Sequence, residues 1–220
     1  MPDAATRGAD MARNLNVMTF ASAAAAGPYD ERPMLPDTLD LQLHLSKNDR
    51  RQPFFLICQH DTVLFALAGA GHVEYKDASV LRHAYEVGDH LYVPAGVPHR
   101  IAPTTVTIQY RYKLPESELE GVAWYCEQCG HELYREVWEI AAEIPQAAYL
   151  RISQGFNADA SCRTCKSCGT VHPVVDLAPY RWAQIAEEIG AEAGESARAA
   201  AMNASSPEPT AAGTTVPSRP

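Results

Sequence analysis

The stretch GDHLYVPAGVPH, residues 88–99, carries the spacing G-x5-P-x-G-x2-H through Gly88, Pro94, Gly96 and His99. A Gly-Asp turn opens a short apolar strand, and a Pro-Ala-Gly turn reverses it, because glycine accepts left-handed backbone and proline fixes φ. His99 then starts the next strand and points into whatever the strands enclose. The same texture extends outward in both directions. LDLQLHL (39–45), FFLICQ (54–59), TVLFALAG (62–69), HVEYK (72–76), HLYVPAG (90–96) and TVTIQYRYKL (105–114) are rich in Val, Ile, Leu, Phe and Tyr, and Asn-Asp, Gly-Ala-Gly, Gly-Asp and Pro breaks separate them. Short strands with turn signals every 8–12 residues predict a mainly β body, a sandwich or barrel, over 36–115. Residues 1–35 are Ala-rich without a period and read as a loose arm. PYRWAQIAEEIG (179–190) gives a short helix within 176–190. The Ala, Ser, Thr, Pro and Gly composition of 191–220 predicts disorder, since it offers too little apolar surface to offset the ordering entropy.

Bulk properties narrow the function classes. The 220 residues, 46% of them hydrophobic, suffice for one sizeable core and a small appended unit. A formal charge of -9, with no basic cluster denser than NDRR at 48–51, argues against nucleic acid as a partner. No run of 18 apolar residues is present, so no membrane-spanning helix is expected. VMTFASAAAAG (17–27) follows Arg13 as a leader would, but its apolar core is short and two acids precede it, so the chain reads as cytoplasmic.

That compartment changes the meaning of the cysteines. WYCEQCGHELY (124–134) places Cys126 and Cys129 in C-x2-C spacing, and CRTCKSCGTVHP (162–173) answers with Cys162, Cys165 and Cys168. In a reducing environment such spacings predict metal binding over 116–175 and not disulfides. Cys58, in an apolar strand, reads as a small buried hydrophobe.

The phrase from Gly88 to His99 resembles the second motif of the cupin superfamily, and FALAGAGHVEY (65–75) resembles the end of its first motif. A single barrel followed by LPESELEGVAWYCEQCGHELYREVWEI and RTCKSCGTVHP (163–173) is similar to the bacterial 3-hydroxyanthranilate 3,4-dioxygenases, over roughly residues 36–175. The resemblance implies one cupin barrel with a rubredoxin-like extension, action on a small aromatic or amino-aromatic metabolite, and a homodimer. It implies four thiolate ligands, Cys126, Cys129, Cys165 and Cys168, for one iron or zinc that acts as a folding staple. Cys162 is surplus; it is either a free thiol or a replacement for Cys165 by a shift of register.

The resemblance also implies a barrel Fe(II) held by two histidines and a glutamate. At those positions the chain has Leu56, Thr62 and His99, of which His99 alone keeps a ligand type. The family's carboxylate-gripping arginine falls near Gln52 and its proton-transferring glutamate on Tyr110, with Arg50, Arg51 and Arg111 as nearby substitutes. Residues that could rebuild the site are His44, His60, Asp61, His72 and Glu74. Two readings follow. One is an enzyme with a non-standard site around His99, using His99, Tyr110 or Tyr112 for acid/base work and Arg111 beside them, with or without a rebuilt metal. The other is a non-catalytic cupin that binds a small molecule or a partner, stapled by the cysteine metal.

Overall fold

The structure, a computed structural model, describes residues 16–23, 26–35, 39, 41–114 and 119–192. Among the described residues eleven strands form two antiparallel sheets. The first has five strands in the order β1 (Arg32–Pro33), β2 (Gln42–Asn48), β9 (Thr107–Lys113), β4 (Thr62–Ala68) and β7 (His90–Val93). The second has six in the order β11 (Glu132–Glu139), β10 (Leu119–Tyr125), β3 (Phe55–Cys58), β8 (His99–Pro103), β5 (Gly71–Tyr75) and β6 (Arg82–Tyr85). The mainly β double sheet expected from the turn signals is therefore present, as the cupin resemblance implies. Gly69 illustrates why those positions are glycine: its φ is +76°, and an added Cβ would come within 2.2 Å of the Val106 carbonyl oxygen.

The interior between the sheets is filled by Phe54, Leu56, Leu64, Val73, Leu91, Ile101 and Val122, all buried. One end is closed by helix α2 (Pro145–Ala158), which starts with proline in its first turn. Its buried stripe of Ala148, Tyr149, Ile152 and Phe156 follows helical spacing. Phe156 stacks on Trp124 of β10 with ring centroids 4.2 Å apart, and Tyr149 meets Phe54 at 5.0 Å. A one-turn helix, α3 (Ala160–Arg163), follows and leads into the second cysteine pair.

Strand β9 shows which way the sheet faces. Gln109, Arg111 and Lys113 point into the barrel and are buried, while Ile108, Tyr110 and Tyr112 point outward. The outward face is not left to water. Helix α1 (Val17–Ser22), N-capped by Asn16, brings Val17, Phe20 and Ala21 against Leu45, Ile108 and Tyr110.

Two expectations of organisation differ from this architecture. The segment read as a loose arm contains α1, and beyond it Tyr29, Asp30 and Glu31 are buried at 0%, 0% and 1% exposure; residues 1–15 lie outside the described ones. The extension drawn from residue 116 begins with β10, which is a strand of the barrel itself, paired to β3 from Glu120 opposite Cys58 to Ala123 opposite Phe55. The chain divides into two compact units, Met1–Ala186 and Glu187–Pro220. Residues 182–186 of the first are helical, and the described part of the second, 187–192, is helical too; 193–220, where disorder was expected, lies outside the described residues. Among the described residues no helix is long and apolar enough to cross a membrane.

Candidate functional site

Two groups of chemistry-bearing residues emerge, one inside the barrel and one at the cysteines. In the barrel, β8 begins at His99, which is fully buried, and the residue directly across on β3 is Leu56. The His99 ring is held at both nitrogens. Nδ1 lies 3.0 Å from the Val97 carbonyl oxygen, and Nε2 lies 2.6 Å from Arg111 Nη1. Carbonyl and guanidinium roles assign the tautomer: Nδ1 carries the proton and donates, and Nε2 accepts. Burial, then the Arg111 and Lys113 charges, hold the imidazole pKa well below its ordinary value, so the ring is neutral.

Arg111 is itself 1% exposed and its charge is balanced from the arm. Its Nε lies 3.2 Å and 3.3 Å from the two Glu31 oxygens. Burial pushes the Glu31 carboxyl up, but the charges of Arg111 and Lys113 outweigh this and keep its pKa below the usual range. Two positions along β9, Lys113 forms a second buried ion pair with Glu120 of β10, and the Tyr149 hydroxyl donates to the other Glu120 oxygen at 3.4 Å. His44, on the strand next to β9 and directly opposite Arg111, bonds the Glu31 carbonyl oxygen through Nδ1 at 2.9 Å. Burial and the Lys113 charge lower its pKa to about 4. Cys58, close to Glu120, is raised to about 11 by burial and that carboxylate and stays a thiol.

The segment carrying Glu31 is firmly seated. Gln146 Nε2 of α2 donates to the carbonyl oxygens of Asp30 and Glu31 at 2.9 Å and 2.8 Å. The Tyr29 amide donates to Asn48 Oδ1, Trp182 Nε1 donates to the Tyr29 carbonyl oxygen, and Arg181 pairs with Asp30. Tyr29 and Glu31 both adopt positive φ, 52° and 45°, a conformation that costs on the order of 1 kcal/mol or more per non-glycine residue and persists because these contacts over-determine it.

A catalytic iron does not fit this donor set. Leu56 has no lone pair to give. The Thr62 hydroxyl, in the position where the resemblance implies a glutamate, donates to the Tyr112 carbonyl oxygen at 2.6 Å. Of the three positions His99 alone keeps a strong ligand, and its Nε2 lone pair already accepts from a cation that a metal ion would have to displace.

Of the residues singled out from sequence, His99 and Arg111 come together. Tyr110 does not join them; it lies on the other face of β9, packed with the cluster of Leu45 and Ile108. Tyr112 shares that outward face. Gln52 is buried and accepts from the Ile101 amide at 3.2 Å, whereas Arg50 pairs with Asp49 and Arg51 with Glu74 on the surface. Asp61 is exposed and accepts from the Ala95 amide, and His72 bonds Glu74 and Arg82 on the outer face, so neither rebuilds a site with His99. Glu31, Lys113 and Glu120 were not anticipated.

The cysteine group is built by two matching turns. Cys126 N donates to the His131 carbonyl oxygen at 2.8 Å and Gly130 N to the Cys126 carbonyl oxygen at 2.8 Å. Thirty-nine positions later the pattern repeats, with Cys165 N to Thr170 at 2.8 Å and Gly169 N to Cys165 at 2.9 Å. Gly130 and Gly169 take φ of +76° and +75°, which closes each turn. The four sulfurs of Cys126, Cys129, Cys165 and Cys168 lie within 4.8 Å of one another, with Cys126 to Cys168 and Cys129 to Cys165 at 3.5 Å. Tetrahedral coordination with metal–sulfur bonds of ~2.3 Å needs sulfur spacings of roughly 3.8 Å, so the donor set fits one thiophilic ion. Cys165, not Cys162, is the member. Cys162 sits in α3 with its sulfur 3.4 Å from Asp159 Oδ2.

No family model matches the chain. The chain is 28% identical over 154 residues to the 3-hydroxyanthranilate 3,4-dioxygenase of Bacillus thuringiensis (strain Al Hakam), which spans 66% of this chain and 82% of that protein. To the protein of the same name from Xanthomonas campestris pv. campestris (strain B100) it is 32% identical over 125 residues, 55% of this chain and 67% of that one. Among solved structures, a cupin-2 domain containing protein from Shewanella frigidimarina NCIMB 400 is similar at 15% identity and a TM-score of 0.38, covering 46% of this chain and 93% of that one.

Proposed function

The chain belongs to the 3-hydroxyanthranilate 3,4-dioxygenase family of cupins, and on that premise we propose that it is a dioxygenase-like member without the family's barrel iron, a binding cupin stapled by one iron or zinc at Cys126, Cys129, Cys165 and Cys168. The observation that carries this reading is the contact of Arg111 Nη1 with His99 Nε2 at 2.6 Å. A cation occupies the direction in which a ligating histidine would present its lone pair. Of two further positions, Leu56 has no donor atom and Thr62 offers only a weakly coordinating hydroxyl that is bonded to the Tyr112 carbonyl oxygen. The barrel interior is instead neutralised internally, Arg111 by Glu31 and Lys113 by Glu120.

The cysteine ion would serve the fold. Its two turns lie about forty residues apart in sequence, and β11, α2 and α3 run between them, so closing the site fixes a long loop against the barrel. The ligand class suggested by the relatives' name is a small amino-aromatic acid.

A second reading is favoured by one observation, the neutral state of His99 beside a buried guanidinium. Such a pair is able to take a proton and stabilise an anion without any metal. Oxygen uptake with 3-hydroxyanthranilate and related catechols, measured on protein purified with its metal and again after addition of Fe(II), separates these readings from the family's activity. No uptake in either sample is expected; uptake that His99→Ala abolishes would refute the proposal.

A further inference from the structure

On the outer face of the six-stranded sheet, away from the barrel interior, Phe55 and Tyr125 form part of a small apolar patch with their rings meeting edge to face at 5.2 Å. Two cations are placed over these rings. The Arg100 guanidinium lies 4.2 Å from the Phe55 centroid, and Lys76 Nζ lies 5.6 Å and 5.2 Å from those of Phe55 and Tyr125. Between them is a hollow of about 70 Å3, walled on one side by the first cysteine turn through Cys126, Glu127 and Gly130. That is room for a few waters or for one small charged head group.

The donors lining the hollow are incompletely used. Arg100 is 7% exposed. It spends Nε on Glu74 at 2.7 Å and Nη2 on Glu127 at 3.0 Å, and its Nη1 makes no hydrogen bond among the described residues. Lys76 Nζ has neither a carboxylate nor a hydrogen-bond partner among them; its only contacts of this kind are the two ring faces. Gly130 keeps the space open, since an added Cβ would project to 4.0 Å from Lys76 Nζ and its φ of +76° disfavours any side chain. Arg51 and Arg100 share Glu74 and Glu127, which leaves Lys76 as the cation of the lining with no carboxylate partner among the described residues.

We propose that this hollow is a carboxylate-binding site, with Arg100 Nη1 and Lys76 Nζ as the donors and the rings of Phe55 and Tyr125 as its floor. A carboxylate monoanion is the smaller electrostatic burden beside the metal-bound thiolate of Cys126, and a phosphate dianion the larger. The aromatic floor excludes water and strengthens charge-assisted bonds to the guest. The carboxylate comes either from a free small acid or from an Asp or Glu side chain of a partner protein. In both cases it sits against the turn that carries Cys126. This site is independent of what occupies the barrel.

Calorimetric titration of the full chain, purified with its metal, tests the assignment. Sodium acetate and a short Glu-containing peptide are the two probes, and sodium chloride holds the ionic strength constant. Saturable binding of either probe is expected, and Lys76→Met, which keeps the stem on the rings and removes the charge, should weaken it by about tenfold or more, as loss of one charge-assisted hydrogen bond would. Acetate binding as tightly as the peptide identifies a free acid as the guest; tighter binding of the peptide identifies a partner side chain. No saturable binding of either probe, or equal binding by Lys76→Met with an unchanged melting temperature, overturns the proposal.

Discussion

Arg111 donates from Nη1 to His99 Nε2 at 2.6 Å, joining a strand of the five-stranded sheet to one of the six-stranded sheet across the barrel interior. The same guanidinium holds Glu31, eighty positions earlier in the chain. The barrel interior around His99 is thereby tied to the buried segment that carries Glu31.

Removing the centre of this network should be costly. Arg111→Met leaves a buried carboxylate without its counter-ion, and breaking a buried pair typically destabilises by about 3–5 kcal/mol. Denaturant unfolding should show that loss, and Arg111→Met combined with Glu31→Gln should lose clearly less than the single variant. A loss under about 1 kcal/mol for Arg111→Met would mean that the ion pair is not formed in solution.

The four-cysteine assignment distinguishes two neighbouring thiols. Cys165→Ser should abolish the bound metal and sharply lower stability, because site formation and folding are one equilibrium. Cys162→Ser should retain one metal per chain with a stability change within about 0.5 kcal/mol. Retention of metal by Cys165→Ser and its loss from Cys162→Ser would reverse the register.

Acid should weaken the fold through His44. Its pKa falls from 6.5 to about 4 on folding, for burial and the Lys113 charge disfavour the cation more than the Glu31 contacts favour it. The unfolded chain therefore binds the proton that the folded chain refuses between those values, so stability is complete above pH 6.5 and declines as pH falls toward 4. The span corresponds to about 3 kcal/mol. Unfolding curves at pH 7, 5.5 and 4 should show the decline, and His44→Gln should reduce it without removing it, because buried His99 refuses a proton in the folded chain as well. An unchanged slope in that variant would assign the decline to other groups.

Much of the fold was legible because turns announce themselves. Gly69, Gly88 and Gly96 stand where the backbone takes positive φ, and the apolar runs between such breaks are the strands. The metal cluster was legible for the same reason, since C-x2-C with a following glycine is a local signal. The barrel interior was not. Tyr110 was expected beside His99 because the resemblance puts a proton-transferring residue there, and along TIQYRYK the ordinary rule would also put Ile108, Tyr110 and Tyr112 inside. The strand faces the other way because α1 covers the apolar side and buried counter-ions neutralise Arg111 and Lys113. Glu31 carried no local sign of its role; its partner lies on another element, and the Ala-rich surroundings suggested a loose arm. The alternation of Gln109, Arg111 and Lys113 on one face was the available clue to a polar interior.

A barrel without metal beside a cysteine site with one sets the metal content of the chain. Elemental analysis of the wild type and of His99→Ala reads it. One iron or zinc per chain is expected in both proteins. Two metals per chain in the wild type, falling to one in His99→Ala, would contradict it.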